Sequence, residues 1–484
     1  MNGTDLIAIL PLLVLTVAAV VVMVAVCIRR SHLLAVWLTL LGLAGAFASL
    51  WPAASVAPIQ VTPLLIIDGY ALFYMGLIIA ATFVTVILAY GYLEKQQGYR
   101  EELYILILTA ALGSAVMVAS NHFVSFFLGL EVLSVALYAM NAYLCNRKAP
   151  LEAGIKYLVL AAVSAAFLLF GMALIYAQLG TLQFGQISSM LIGVVSYDKT
   201  LIYPGLALMI TGIGFKLAVV PFHMWTPDVY EGAPAPVTAF VATVSKGGMV
   251  ALLLRYFYAT GAYRLHSVFV VFSIIAIASM IAGNLLALLQ NNVKRILAYS
   301  SIAHLGYMLV AFLAGGSRAA EAVTFYLVAY FVTTLGTFGV VSVLSNGERD
   351  ADSIDDYESL FWRRPALAGV FTLMLLSLAG IPLTAGFVGK FFLVATGTSA
   401  SLYGLIFVLV VTSVVGLFYY LRILVAMYKS PAETGKAAPA TLSSLSRSGN
   451  LALAGLTVLL VWIGVYPSPV LDMIQRAVTT LRIF

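Results

Sequence analysis

Four ionisable side chains stand in stretches that otherwise offer nothing charged: Glu131 in FFLGLEVLSVAL, Lys216 in GFKLAVVPFH, Lys246 in FVATVSKGGMV and Lys390 in LTAGFVGKFF. Glu131 lies about nine residues into its apolar run and Lys246 about ten into its own, so each is about 13–15 Å deep at about 1.5 Å per residue. Each charge near the middle of a bilayer costs about 2.5–3.5 kcal/mol on insertion scales. Four cost on the order of 10–14 kcal/mol, comparable with the whole stability of a domain, about 5–15 kcal/mol. Such groups persist only if they are paired, hydrated or at work. A single structural ion pair does not account for them, because one carboxylate cannot neutralise three ammonium groups. The remaining lysines must face water or spend time uncharged, since desolvation disfavours the charged form. Lysines that exchange between the two forms are what a proton relay requires.

Other polar residues carry two readings each. Lys156 lies a turn inside its run beside Glu152, where snorkelling and a relay role both fit. Lys294 with Arg295 marks the end of a span or a site of proton uptake. His223 and His304 are packing histidines, or members of a water-assisted relay, since histidine titrates near neutrality. Most of the tyrosines are expected to serve as interface anchors or core residues.

Two segments break the apolar runs beside these lysines. Pro221 in KLAVVPFH removes a backbone donor and frees the carbonyl of Leu217. LSLAGIPLTAGFVGKFF sets Gly380, Pro382, Gly386 and Gly389 just before Lys390. Freed polar backbone inside a membrane is tolerated only where it lines a cavity or is buried in protein. Interrupted spans in matching positions of two halves are the mark of a transporter site.

The frame that holds these residues is apolar throughout. Of 484 residues 63% are hydrophobic and 9% charged, against about 25% charged in a soluble domain. Fourteen apolar spans are expected, at 6–28, 33–51, 70–93, 103–119, 123–144, 155–179, 201–222, 236–259, 266–290, 296–314, 320–344, 366–395, 402–428 and 449–466. The fold class is therefore an all-α polytopic membrane protein. The broken spans are the seventh and the twelfth. Their odd offset makes them cross in opposite senses, which predicts two inverted five-helix repeats, 103–259 (helices 4–8) and 266–428 (helices 9–13). Residues 1–102 supply helices 1–3, and 429–484 a loop, helix 14 and a short tail.

Lys/Arg bias in short loops orients the bundle. With the N-terminus outside, fourteen basic residues fall on the cytoplasmic side, among them Arg29, Arg30, Lys95, Arg147, Lys294, Arg363, Lys436 and Arg447. Six fall outside: Lys199, Arg255, Arg264, Arg318, Arg476 and Arg482. Both termini are thus expected on the outer side. The formal net charge of +6 is a topological signal, not a nucleic-acid footprint. Arg29 and Arg30 follow the first apolar run, unlike the flanks of a cleavable signal. The acidic stretch SNGERDADSIDDYESLFWRRP, 345–365, is expected to be a solvated linker more than a docking loop. Cys27 and Cys145 form no CxxC pair, no GxGxxG or GxxxxGK[ST] occurs, and the five histidines fall on different segments. No cofactor or metal site is expected in this chain.

LGLEVLSVALYAM, EAGIKYLVLAA, GFKLAVVPFHMWTPDVYEGAPAPVTAFVATVSK, NVKRILAYSSIAHLGYMLVA and LSLAGIPLTAGFVGKFF resemble the antiporter-like subunits of respiratory complex I, the bacterial proton-pumping NADH:quinone oxidoreductase. The likeness runs along essentially the whole chain. Lysine at 246 and at 390 is more similar to the N-type subunits than to their two larger relatives. Subunits of Mrp-type cation/proton antiporters share the fold and several motifs.

The resemblance implies a bacterial inner-membrane protein that moves protons through two half-channels, driven by electron transfer elsewhere. It implies that Glu131 pairs with Lys216, that Lys246 links the half-channels through His304 and water, and that Lys390 serves the second. It places FMN, iron–sulfur clusters and quinone in other subunits. The implied partners are the other membrane-arm subunits of the complex, neighbouring antiporter-like subunits included, together with lipid, protons and water. An Mrp-type antiporter is the alternative, but it calls for acidic cation ligands at mid-membrane, where only Glu131 stands. A structural spacer is a third reading, and under it the lysines are dispensable.

Overall fold

The computed structural model describes residues 2–96, 98–192, 200–431 and 447–481. The first expected span is α1 (Gly3–Ala8) followed by α2 (Leu10–Ile28), with Pro11 in the first turn, where its missing N–H leaves no intrahelical bond unmade. α3 (His32–Ala48) and α4 (Leu50–Val56) make the second. A two-stranded antiparallel hairpin, β1 (Ile59–Val61) and β2 (Leu65–Ile67), leads into α5 (Gly69–Leu93). Then come α6 (Glu102–Val118), α7 (Phe123–Asn141), α8 (Lys148–Leu179) and the short α9 (Phe184–Ile192). α10 (Ile202–Leu217) and α11 (Trp225–Gly232) flank the first break. The next span is α12 (Ala235–Phe240), a π turn over Val241–Ser245, and α13 (Lys246–Ala259).

The second run opens with α14 (His266–Leu288), α15 (Val293–Ala314) and α16 (Gly316–Leu344). After the short α17 (Leu360–Arg363), α18 (Pro365–Ala379) and α19 (Ala385–Ser399) flank the second break. α20 (Tyr403–Tyr428), α21 (Arg447–Val465) and α22 (Ser468–Val478) complete the chain. Among the described residues eleven helices are long and apolar enough to cross a membrane, and α6, α10 and α18 are shorter apolar helices. Together they fall on the fourteen expected spans. α10 and α18 are short because each is the first half of a broken span.

The burial pattern tells which helices carry the site. The window within Ala235–Ala259 is 100% buried and those of α15 and α16 94%, against 33% for α2 and 28% for the α21 span. The three central helices bear Lys246, His304 and the tyrosines around them, while the rim helices turn apolar side chains outward. Packing repeats in step along the two runs: α6 lies on α7 as α14 lies on α15, α8 on α10 as α16 on α18 and α19, and α6 on α13 as α14 on α20.

Polar groups close the two ends. At one end Asp68, 1% exposed, takes two hydrogen bonds from Arg255, Nη1 to Oδ2 at 2.9 Å and Nη2 to Oδ1 at 2.7 Å. Arg255 Nε donates to the carbonyl of Val118, and its guanidinium lies 4.9 Å from the centre of the Tyr70 ring. α22 settles on the same end, burying Ile474, Ala477 and Val478, and Thr480 Oγ1 accepts from Tyr70 N at 3.0 Å.

At the opposite end, where Arg29, Arg30, Lys95, Arg147, Lys294 and Arg295 gather, the acidic loop is no solvated linker. Lys95 Nζ donates to the carbonyls of Val343 and Ser345, and Arg147 donates to Gly347. Asp350 accepts from Lys294 at 2.6 Å and Tyr92 at 2.8 Å, and Asp352 from Asn292 at 2.7 Å. The loop is held because neighbouring turns present cations and donors to its carboxylates, a complementarity that only the assembled bundle creates. Lys199, Lys436 and Arg482, used in the charge count, lie outside the described residues, as does the side chain of Arg447 and most of 429–449. Arg422 reaches out of its span to the carbonyls of Leu288 and Gln290.

Removing one partner of a buried pair leaves an uncompensated charge, at a cost of about 3–5 kcal/mol, whereas replacing both with apolar groups is often neutral. Arg255→Met therefore lowers the thermal midpoint of the detergent-solubilised protein sharply, and adding Asp68→Leu restores most of it. A melt in which the single and double variants behave alike contradicts this account of the staple.

Candidate functional site

The first break is a complete interruption. α10 stops at Leu217, and Ala218 takes a left-handed conformation (φ 61°) that an alanine adopts only under tertiary constraint. Ala218 and Val219 turn their N–H groups back to the carbonyls of Phe215 and Gly214. Trp225 Nε1 donates to Phe215 O at 2.9 Å, and Val220 N–H reaches Ser279 Oγ on α14 at 2.9 Å. Side chains of both runs thus satisfy the opened backbone. Three residues before Pro221 the helix has already ended, so the expected break begins ahead of the proline.

Lys216 occupies the last turn of α10 and is 3% exposed. Its Nζ donates to Ser134 Oγ at 2.6 Å and to Tyr157 Oη at 3.3 Å. Ser134 follows Glu131 by three residues on α7, one turn along the same face. The direct Glu131–Lys216 ion pair implied by the resemblance is not made here. Ser134 holds the ammonium, and Glu131 Oε1 is buried with no hydrogen-bond partner.

Lys246, fully buried, follows the π turn directly. Ser114 on α6 donates to the Val244 carbonyl at 3.1 Å, within that turn. A side chain at position 248 would run into Ser114 and one at 247 into the ring of Phe331, so the two glycines admit their neighbours to the lysine's own turn. Lys246 Nζ donates to Ser301 Oγ at 2.6 Å and stands 5.3 Å from the centre of the Tyr230 ring. Ser301 and Tyr330 share a hydrogen bond of 2.6 Å.

One turn on from Ser301, His304 meets Tyr326 Oη at 2.6 Å through Nδ1 and Tyr420 Oη at 3.2 Å through Nε2. Tyr420 bonds in turn to Ser300. Lys390 then projects from α19 to the end of α18, where Nζ donates to the carbonyl of Ala379 at 2.8 Å and to Ser413 Oγ on α20 at 2.7 Å. Tyr307 lies beneath it, with the ring centre 5.4 Å away, and bonds to Asn284 at 2.9 Å.

Both break-associated lysines therefore stand at the carboxyl end of a half-helix, Lys216 within α10 and Lys390 against α18. Unpaired carbonyls there form the negative end of the helix dipole and favour a cation. None of the ion pairs among the described residues involves Lys216, Lys246 or Lys390. Their acceptors are hydroxyls and a carbonyl.

The other sequence candidates lie elsewhere. Lys156 pairs with Glu152 and Asp228, each at 2.7 Å, at the basic end of the bundle. Lys294, fully buried, donates to the carbonyls of Glu231 and Ala233 at 2.8 and 2.7 Å and to Asp350. With Arg295 bound to Asp228 and Glu231, these lysines anchor α11. His223 sits in the first break, 8% exposed, with Nδ1 buried and unbonded and no hydrogen bond to a lysine. Sequence reasoning did not single out Ser134, Tyr157, Ser301, Tyr326, Tyr330 or Ser413. A signal existed for two of them, since Ser134 and Ser301 are spaced three residues from Glu131 and His304 inside apolar runs.

Fold and site together define an antiporter-like membrane subunit, with two broken helices flanking a row of buried and half-buried lysines, hydroxyls and a histidine. The family model described as NADH:quinone oxidoreductase/Mrp antiporter, TM, matches residues 120–416. NADH-quinone oxidoreductase subunit N of Ectopseudomonas mendocina (strain ymp) is 49% identical over 484 residues, covering 98% of this chain and 97% of that protein. The subunit N of Nitrosospira multiformis is 54% identical over 487 residues, covering 98% and 96%. A chain of respiratory complex I from Thermus thermophilus with bound aureothin superposes with a TM-score of 0.81 at 33% identity, covering 96% of this chain and 98% of that one. The chain belongs to the NADH-quinone oxidoreductase subunit N family.

Ser301→Ala would leave the Lys246 ammonium without its acceptor, at a cost of about 1–3 kcal/mol. The thermal midpoint of the assembled protein falls accordingly, and Ser301→Thr, which keeps the hydroxyl, holds it near the parent. An unchanged midpoint in Ser301→Ala rules out this bond as the lysine's support.

Proposed function

We propose that this chain is a proton-translocating membrane subunit of bacterial NADH:quinone oxidoreductase, lying in the inner membrane with both termini on the outer side. Its partners are the other membrane-arm subunits, neighbouring antiporter-like ones among them. The redox groups, FMN, iron–sulfur clusters and quinone, belong to other subunits. Residues 103–259 and 266–428 act as the two inverted repeats, each giving one half-channel.

The observation that carries this reading is the row of three ammonium groups, Lys216 and Lys246 buried and Lys390 half-buried, whose hydrogen-bond acceptors among the described residues are hydroxyls and a carbonyl and no carboxylate. Lys216 takes the proton of the first half-channel. Lys246 and His304 pass it across the centre, over the hydroxyls of Ser301, Tyr330, Tyr326 and Tyr420. Lys390 serves the second half. Glu131 is the switch: brought against Lys216 it favours the charged amine, and withdrawn it favours release. The open geometry, with Ser134 holding the lysine, corresponds to the withdrawn position. At an effective dielectric of about 20, a unit pair at about 4 Å is worth about 4 kcal/mol. A proton crossing about 150 mV requires about 3.5 kcal/mol. One such pair is of the size needed to drive one proton.

Lys156 and Lys294 support the relay by fixing α11, and His223 by lining the first break. Cation exchange of the Mrp type is the weaker reading, because Glu131 is the one carboxylate at mid-membrane and no cluster of three His, Cys, Asp or Glu residues suited to a metal ion occurs among the described residues.

Lys216→Ala, Lys246→Ala and Lys390→Ala are each expected to cut NADH-driven proton translocation in proteoliposomes of the intact complex by about a hundredfold, the low end of what a positioned proton-transfer group contributes. Wild-type proton yield in all three variants refutes the relay. Sodium-dependent proton exchange by the isolated chain favours the antiporter instead.

A further inference from the structure

One polar stripe runs from this site toward the basic end. Glu131, Ser134, Tyr138 and Asn141 follow one another on α7 at steps of three, four and three residues. At about 3.6 residues per turn they fall within an arc of about 80° and span about 15 Å of helix. Ser134 holds Lys216, and Tyr138 packs against Tyr157, with ring centres 5.7 Å apart. Tyr157 is the tyrosine that takes the second bond from Lys216. Asn141, the last residue of the helix, is 0% exposed, and neither its Oδ1 nor its Nδ2 has a hydrogen-bond partner among the described residues. A carboxamide offers two donors and two acceptor lone pairs, and buried polar groups are almost always bonded.

Beyond the end of the helix, Tyr143, Leu144 and Cys145 line a cavity of about 850 Å³, with Glu102 and Arg147 also on its wall. Glu102 gives one oxygen to Arg30 at 2.8 Å, while Oε2 is buried without a partner. A buried, unbonded carboxamide thus stands on the helix between a relay lysine and a cavity whose own carboxylate has an unbonded oxygen.

We propose that this stripe is the route by which protons reach Lys216 from the basic end of the bundle. Glu102 collects a proton at the cavity wall. Asn141 does not titrate and acts as a positioning residue, its amide donating to water and its carbonyl accepting from water. Tyr138 and Ser134 complete the path to the lysine. Each hydroxyl or water gives a proton forward as it takes one from behind, so the route is unchanged after each passage. The proposal rests on the proton-relay reading above, and it adds which groups feed that relay.

A purely structural role makes the opposite prediction. Replacing an unbonded buried amide with an apolar group of nearly the same shape is neutral or stabilising. Asn141→Leu does that and closes the site to water. In the intact complex reconstituted into liposomes, Asn141→Leu is expected to assemble normally and melt no lower than the parent. Its proton yield per NADH oxidised should fall several-fold, and Asn141→Ser, small and polar, should recover most of it. Tyr138→Phe, which loses a single hydroxyl and keeps the ring, carries the same expectation if Asn141→Leu fails to assemble.

Parental proton yield in Asn141→Leu, or in Tyr138→Phe where Leu is not tolerated, overturns the route. If Lys246→Ala in the same assay has lost its yield, the relay itself stands. If Lys246→Ala also pumps normally, the relay has failed as well.

Discussion

An ammonium group inside a bundle as thick as a lipid bilayer must be given acceptors by the protein, because neither lipid nor a second charge is at hand. Lys216, Lys246 and Lys390 are given hydroxyls and a helix-end carbonyl at 2.6–2.8 Å. A carboxylate at the same distance would favour the charged amine more strongly. Hydroxyls and carbonyls solvate the charge without trapping it. The second interruption serves the same need, since an intact helix has no free carbonyl to offer a cation midway along its length, as Ala379 offers Lys390.

Stability comes from elsewhere. Asp68 with Arg255 closes one end, and the carboxylates of the 345–357 loop with Lys294 and Asn292 close the other. These charges are matched, multiply bonded and far along the spans from the lysine row. Matched pairs at the ends hold the helices in register, which lets the middle carry unmatched charge without the bundle loosening. The ties also cross between the two runs of helices, as α11 of the first meets the start of α15 in the second through Asp228, Glu231 and Arg295. The segment that follows the first break is therefore tied directly to the second run.

The two halves solve one problem with different residues. In the first, the lysine precedes its break and lies in the last turn of the half-helix. In the second, it follows the break and reaches back to the half-helix end. Lys246, between them, has no break of its own, but a π turn precedes it and Gly247 and Gly248 follow, so that α6 and α16 approach closely. Local backbone irregularity thus accompanies every lysine of the row.

Composition and periodicity alone determined that the chain is a membrane-spanning helical bundle, where its fourteen spans lie, and which charges could not be ordinary surface groups. Hydropathy is a local property, and a charge inside an apolar run carries its cost whatever the neighbours are. Pro221, Gly380 and Pro382 likewise announced the breaks, because the restricted backbone of proline and the permissive one of glycine travel with the residue. What partners the charges was decided by tertiary structure. Asp350 at Lys294, Ser134 in place of Glu131 at Lys216, and Asp68 at Arg255 join residues 56, 82 and 187 positions apart. Hydrogen bonds across such separations depend on which helix faces which, and one-dimensional spacing contains no such information. The acidic 345–365 stretch reads as solvent-loving because its charges are visible in sequence and the cations that bind them are not.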